Sequence, residues 1–201
     1  MGERQAEGLR VLVTAGAAGI GGAITAAFVA AGARVHVCDV SEQVLAACRA
    51  AMPDVGATLA DVSDEVAVDR LFADVRERLG GLDVLVNNAG IAGPTGAIED
   101  LSVAEWRRCI DIDLTGQFLC ARRAVPMIKA AGGGSIVNMS SSAGRFGYAF
   151  RTPYAAAKWG VVGLTQSLAK EPLNRFVCHG RSEEYGTPYC AWATSAAFMA
   201  G

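Results

Sequence analysis

Leu9-Arg-Val-Leu-Val-Thr-Ala-Gly-Ala-Ala-Gly-Ile-Gly21 is the stretch on which the fold turns. Its first part, Leu9–Thr14, is an apolar, β-branched run that reads as a strand. Small residues follow, and Gly21–Ala31 reads as helix. A strand that turns directly into a helix leaves the first helical N–H groups unpaired, with the positive end of the dipole at the turn. Such a turn is an anion site. Gly16, Gly19 and Gly21 let a phosphate approach the backbone, and Thr14 and Ile20 stand within the same turn. Small residues also suit plain strand–helix packing, so the turn gains meaning only from what surrounds it.

Short apolar runs alternate with longer helical patterns along the rest of the chain. Strands are expected at Arg34–Asp39, Gly56–Ala60, Leu82–Asn87 and Ser135–Ser140. Helices are expected at Glu42–Ala51, Glu65–Leu79, Ala104–Ala130 (interrupted near Pro126) and Pro153–Lys170. The strands are almost continuously apolar, which suits a parallel sheet covered on both faces. We therefore expect one α/β domain over residues 1–201, a doubly wound, Rossmann-like parallel sheet. The pattern stops after Glu171. Residues 172–201 form an atypical tail, with at most a weak helix in the final Ala-rich stretch, so the last strand or strands are expected to be missing or replaced.

Asp39 ends the second strand, eighteen residues after Gly21. A carboxylate there can accept hydrogen bonds from ribose hydroxyls and would repel a 2′-phosphate. No arginine or lysine occurs from Ala15 to Ala31 or at Val40. The expected cofactor is NAD, in preference to NADP. The plainer reading is a tight strand–helix turn with Asp39 as a capping residue.

Tyr154-Ala-Ala-Ala-Lys158 places a phenol and an ammonium four residues apart, on one helical face. A nearby ammonium stabilises the phenolate and makes the phenol a usable acid and base near neutral pH. Ser141, thirteen residues upstream, follows a strand and can hydrogen-bond a substrate oxygen. Ser140 and Ser142 are its neighbours and compete for that role. A lone Tyr-xxx-Lys is ordinarily a surface pair; its company here gives it weight.

The bulk numbers exclude other classes. The 201 residues are 52% hydrophobic and 19% charged, with a net charge of −2. Nothing basic recommends nucleic acid, and no long uncharged apolar run recommends a membrane. The N-terminus lacks the apolar run of a signal peptide, so a cytoplasmic protein is expected. Cys38, Cys48, Cys109, Cys120, Cys178 and Cys190 form no CxxC pair, and neither His36 nor His179 shares ligand spacing with them. No metal is expected, and the thiols read as reduced, buried hydrophobes. The sequon Asn138-Met-Ser140 lies in an expected buried strand and carries no weight.

From Leu9 to Glu171 the chain resembles the short-chain dehydrogenases/reductases. The resemblance rests on the glycine-rich turn, Asp61-Val62, Asn87-Asn88-Ala89-Gly90, Ser141, Tyr154 and Lys158. It implies interconversion of a secondary alcohol and a ketone by hydride transfer. It makes Tyr154 the proton donor or acceptor, Lys158 its tuner and the holder of the nicotinamide ribose, and Ser141 the group that orients the carbonyl. It places Asp61 and Val62 beside the adenine, and Asn88, Ala89 and Gly90 along the cofactor. It also implies a small-molecule alcohol or ketone substrate and a homo-oligomer built through the helices near 104–130 and 153–170. There are three departures. Ala15 stands where the family usually has its first glycine. Asp113 stands where the family usually has an asparagine that anchors a water relay to the lysine. After Glu171 the usual sixth strand, nicotinamide turn and substrate loop are not recognisable, as a reading-frame change there would produce. Two other readings follow from that tail: an NAD-binding chain impaired in turnover, or an interaction subunit paired through its helices.

Overall fold

The structure is a computed structural model that describes residues 6–171 and the backbone of Val177–Gly180. The described residues form six strands and six α-helices. They are β1 (Arg10–Thr14), α1 (Gly19–Ala30), β2 (Arg34–Asp39), α2 (Glu42–Ala51), β3 (Gly56–Leu59), α3 (Glu65–Leu79), β4 (Val84–Asn87), α4 (Val103–Ile110), α5 (Gly116–Ala130), β5 (Ser135–Met139), α6 (Thr152–Leu168) and β6 (Val177–Gly180). Strands and helices alternate except that α4 and α5 both follow β4. The sheet order is β3-β2-β1-β4-β5-β6, parallel throughout. The chain winds outward one way from β1 to β3, then returns to the other side of β1 at β4. That reversal opens a crevice at the carboxyl ends of β1 and β4, where open α/β sheets bind ligands.

Alternation along each strand divides the core into two layers. Val11 and Val13 of β1 pack with Val35, Val37, Leu45, Val84 and Val86 on one face. Leu12 and Leu85 point to the other, against Val68, Leu71, Phe72 and Val75 of α3. The α3 residues recur at helical spacing, Asp64 caps the first turn and left-handed Gly80 (φ 75°) ends the last. Cys38, Cys48, Cys109 and Cys120 are buried free thiols. Asn138 is fully buried, and its amide donates to Thr165 Oγ1 at 3.0 Å.

One expectation is corrected. The helix expected over Ala104–Ala130 is interrupted, but not near Pro126, which lies inside α5. The break is a π-helical turn at Asp111–Thr115. There the Gly116 N–H reaches back to the Asp111 carbonyl, and the Gln117 side chain donates to the Asp113 carbonyl at 3.1 Å. The wider turn inserts one extra residue and re-aims the side chains around it. At the sheet edge the tail supplies a replacement strand. Val177–Gly180 pairs in parallel with β5, from Ile136 opposite Val177 to Met139 opposite Gly180, so β5 is not left open. Four extended residues suffice for such a ladder, because backbone groups make it. The expected weak helix near the C-terminus lies outside the described residues.

One buried polar chain ties β2, β3 and α3 together. His36 Nε2 lies 2.9 Å from Thr58 Oγ1, which donates to Asp74 at 2.6 Å. Since Thr58 spends its proton on Asp74, it accepts from His36, which fixes the imidazole proton on Nε2. Nδ1 is left buried without a partner. Burial pushes His36 down from 6.5 to about 4, against the pull of Asp74. The unfolded chain therefore binds a proton that the folded chain refuses. This stabilisation is complete above pH 6.5 and is lost as the pH falls toward 4. The fold should lose about 2 kcal/mol between pH 7 and pH 5 from this residue alone. Urea melts at the two pH values measure it, and His36→Gln should flatten the difference.

Candidate active site

The crevice begins at the turn between β1 and α1. Ala18 starts α1 in extended conformation with no side-chain cap, whereas Ser41, Asp64 and Ser102 cap α2, α3 and α4. The amide donors of Gly19, Ile20 and Gly21 thus meet no capping side chain of Ala18, and Ile20 is exposed. This is the donor set that a pyrophosphate needs. Gly21 is demanded by sterics: a Cβ there would overlap the Ala15 carbonyl oxygen and lie 2.6 Å from Asn88 Nδ2. At Gly16 a Cβ would lie 2.7 Å from both the Val13 carbonyl oxygen and Val37 Cγ1.

Thr14 acts as a clamp. It is buried, and its hydroxyl oxygen accepts from the N–H groups of Asn88 and Ala89, both at 3.0 Å. Asn88 returns its carboxamide to the carbonyls of Thr14 and Ala15 at 3.0 and 3.1 Å. Thr14 and Asn88 thereby hold the two lips of the crevice together. Beyond them lies a cavity of about 190 Å³, lined by Ala15, Asp39, Asp61, Val62, Ala89 and Gly90 among others. Asp39 accepts from the Ser41 N–H at 3.2 Å, and Asp61 from the Ser63 N–H and hydroxyl at 2.9 and 2.7 Å. Both carboxylates are thus oriented at the cavity wall. Arg108 and Ile112 of the 103–115 segment line the same cavity. Sequence reasoning missed them, although their i, i+4 spacing beside Asp113 was a usable signal.

Asp113, Lys158 and Tyr154 meet where α6 and the π-helical turn come together, and Ser141 follows β5 next to Ser140. Ser140 is buried and donates to the Lys158 carbonyl at 2.9 Å. Ser141 accepts from the Ala143 N–H at 3.2 Å and donates to no acceptor among the described residues, so its proton is available to an outside acceptor. That difference separates Ser141 from Ser140. Lys158 Nζ lies 5.5 Å from the Tyr154 ring centroid, donates to the Met139 carbonyl at 3.2 Å and lies 3.7 Å from Asp113 Oδ2. Lys158 and Asp113 are 5% and 0% exposed, so the ion pair is withdrawn from water. Asp113 Oδ1 accepts the Ile91 N–H at 2.6 Å. Burial pushes the Lys158 amine down, and the Asp113 carboxylate opposes this. Burial likewise pushes the Asp113 carboxyl up, against Lys158 and the Ile91 N–H. Gly90 makes room for the pair: a Cβ there would sit 3.1 Å from Asp113 Oδ1 and 3.2 Å from Lys158 Nζ.

Arg151, the residue just before α6 and three before Tyr154, was also missed. Its guanidinium lies 5.4 Å from the Tyr154 ring centroid and donates to Ala92 O at 2.5 Å and Thr95 Oγ1 at 3.2 Å. It fastens the loop after β4 to the start of α6. Among the described residues, no three His, Cys, Asp or Glu side chains group as metal ligands, and no helix is long and apolar enough to cross a membrane.

A doubly wound parallel sheet with an uncapped helix at its switch point is a Rossmann-like fold, the class of α/β fold on which dinucleotide sites are commonly built. Comparison gives the particular family. Residues 10–177 match the family model described as short chain dehydrogenase, and the chain belongs to that family. It is 45% identical to the cis-4-hydroxycyclohexanecarboxylate dehydrogenase of Sinomonas cyclohexanicum, over 84% of this chain and 69% of that protein. It is 39% identical to the 2-dehydro-3-deoxy-L-rhamnonate dehydrogenase (NAD(+)) of Sphingomonas sp. (strain SKA58), over 80% of this chain and 64% of that protein. The crystal structure of levodione reductase superposes with a TM-score of 0.82 at 35% identity, covering 87% of this chain and 72% of the other. The chain thus spans about two thirds of the length of the curated relatives it matches.

Ala15, the first departure in the glycine-rich turn, adopts φ 47°. A side chain in that left-handed region costs about 1 kcal/mol. Ala15→Gly should therefore raise the unfolding free energy, by up to about 1 kcal/mol once the freer unfolded chain is subtracted. Denaturant melts of the two proteins would measure the gain; a net loss would show that the turn is not strained at Ala15.

Proposed function

We propose that this chain is an NAD-dependent oxidoreductase that interconverts a secondary alcohol and a ketone, with Tyr154 as its acid and base. The observation that carries the reading is the pair on α6, a half-buried phenol with a buried ammonium 5.5 Å from its ring centroid, with Ser141 just past β5 in support. The amides of Gly19, Ile20 and Gly21 would hold the pyrophosphate, with Gly16 keeping the turn open. Asp39 would take the adenosine ribose, Asp61 and Val62 the adenine side, and Ala89 and Gly90 the cofactor's length. Lys158 would reach the nicotinamide ribose. Asp39 supports NAD over NADP, because a fixed carboxylate repels a 2′-phosphate. When bound, the nicotinamide accepts or supplies the hydride.

The chain's own residues do the rest. In alcohol oxidation, the Tyr154 phenolate takes the hydroxyl proton as the carbon–hydrogen bond yields its electron pair. In ketone reduction, the phenol returns that proton to the carbonyl oxygen. Ser141 donates a hydrogen bond to the same oxygen, where negative charge grows. Lys158 stabilises the phenolate. The relatives' names include a ring alcohol bearing a carboxylate and a deoxy sugar acid. They support a small, polar, often acidic substrate. A homo-oligomer built through α4, α5 and α6 fits the exposed Trp106, Phe118 and Trp159 on those helices.

The second reading is a chain that binds NAD but turns over poorly. It is favoured by one finding: the family match ends at residue 177, and the chain spans about two thirds of the length of the relatives it matches. The two readings separate in one experiment. Tyr154→Phe should lower alcohol-dependent NAD reduction by at least about 100-fold, as removal of a general acid–base does, while NAD still raises the melting temperature. Turnover that survives the substitution would remove Tyr154 from the reaction. An NAD-induced thermal shift in the unaltered protein, without reduction across a panel of ring alcohols and sugar acids, would favour the second reading.

A further inference from the structure

We propose that Asp113 is a positioning residue that raises the pH at which Tyr154 becomes a base, because its buried carboxylate draws the Lys158 ammonium away from the phenolate. The proposal rests on the reading of Tyr154 as acid and base and adds what sets its working pH. Lys158 Nζ is bracketed by Asp113 Oδ2 at 3.7 Å and the Met139 carbonyl at 3.2 Å. Asp113 holds its place through the Ile91 N–H at 2.6 Å and is fully buried, and its Oδ2 has no hydrogen-bond partner. Nothing but the ammonium faces that oxygen with opposite charge at such range among the described residues. The carboxylate and a phenolate therefore compete for one cation in a water-poor site, where charge pairs are weakly screened.

The surrounding groups leave this balance in place. From α4, the Cys109 thiol is pushed by burial up to about 11 and is uncharged at neutral pH. From the start of α6, the Arg151 guanidinium lies 5.4 Å from the Tyr154 ring centroid but is already tied to Ala92 O and Thr95 Oγ1. From β5 and the loop after β4, the neighbours are the Met139 carbonyl and Gly90, neither of which titrates. A neutral carboxamide at 113 could still accept the Ile91 N–H while freeing the ammonium's field for the phenolate.

The test is a tyrosinate titration by ultraviolet difference absorbance on the unliganded full chain, with the Tyr154→Phe spectrum subtracted. In Asp113→Asn the Tyr154 midpoint should fall by about one pH unit. The acid limb of kcat/KM for alcohol oxidation should move in the same direction. A midpoint that is unchanged or higher overturns the proposal. Asp113→Ser, which also removes the charge, gives the same readout if the Asn variant does not fold. If Tyr154→Phe keeps full turnover, the acid–base reading fails, yet the titration still reports whether Asp113 governs the phenol.

Discussion

A lysine ammonium kept almost out of water needs acceptors on several sides, and the site is organised around that need. Lys158 is 5% exposed on α6. It finds the Met139 carbonyl at the end of β5 and the Asp113 carboxylate on the π-helical turn. Burying a charge without such partners costs several kcal/mol. Each partner therefore has its own support. The π-helical turn, held by Gln117, places Asp113 under the ammonium. Gly90 keeps the gap open, and Ser140 binds the Lys158 carbonyl so that α6 cannot slide along β5. Tyr154, one turn back, inherits its electrostatic environment from this arrangement.

The second constraint is the reversal of winding between β1 and β4. Parallel strands leave a gap where successive connections depart to opposite faces. Thr14 spans this gap with one hydroxyl that serves two N–H groups, and Asn88 answers with a carboxamide to two carbonyls. The lips of the crevice are fixed by protein groups, so the amides at the start of α1 remain directed at the opening. Deeper in the sheet, Asn87 donates to Asn138 at 2.8 Å and Asn138 to Thr165, which joins β4, β5 and α6 through buried amides. The glycine-rich turn and the tyrosine–lysine end of the crevice are thus parts of one hydrogen-bonded frame.

Much of this was legible in the residues. The apolar runs named five strands because buried parallel strands must be apolar on both faces, and the boundaries moved only slightly, as where β4 starts at Val84 rather than Leu82. The sixth strand was not legible, since Val177-Cys-His-Gly180 carries no alternating pattern and owes its place to pairing with β5. Pro126 was expected to interrupt its helix, yet the interruption fell at Asp111–Thr115, where no proline or glycine marks the sequence. Arg108 and Arg151 carry no signal of their own in the sequence; only the fold sets Arg108 at the cavity wall and Arg151 beside the Tyr154 ring.

The sequence by itself determined the α/β alternation, the glycine-rich turn and the tyrosine–lysine spacing, because each is local: periodicity, glycine conformations and helical pitch act within a few residues. Tertiary structure decided which serine keeps its proton and that Asp113 is a buried counter-ion to Lys158. Those outcomes depend on burial and on partners far away in the chain, and charges change their meaning when water is removed from around them.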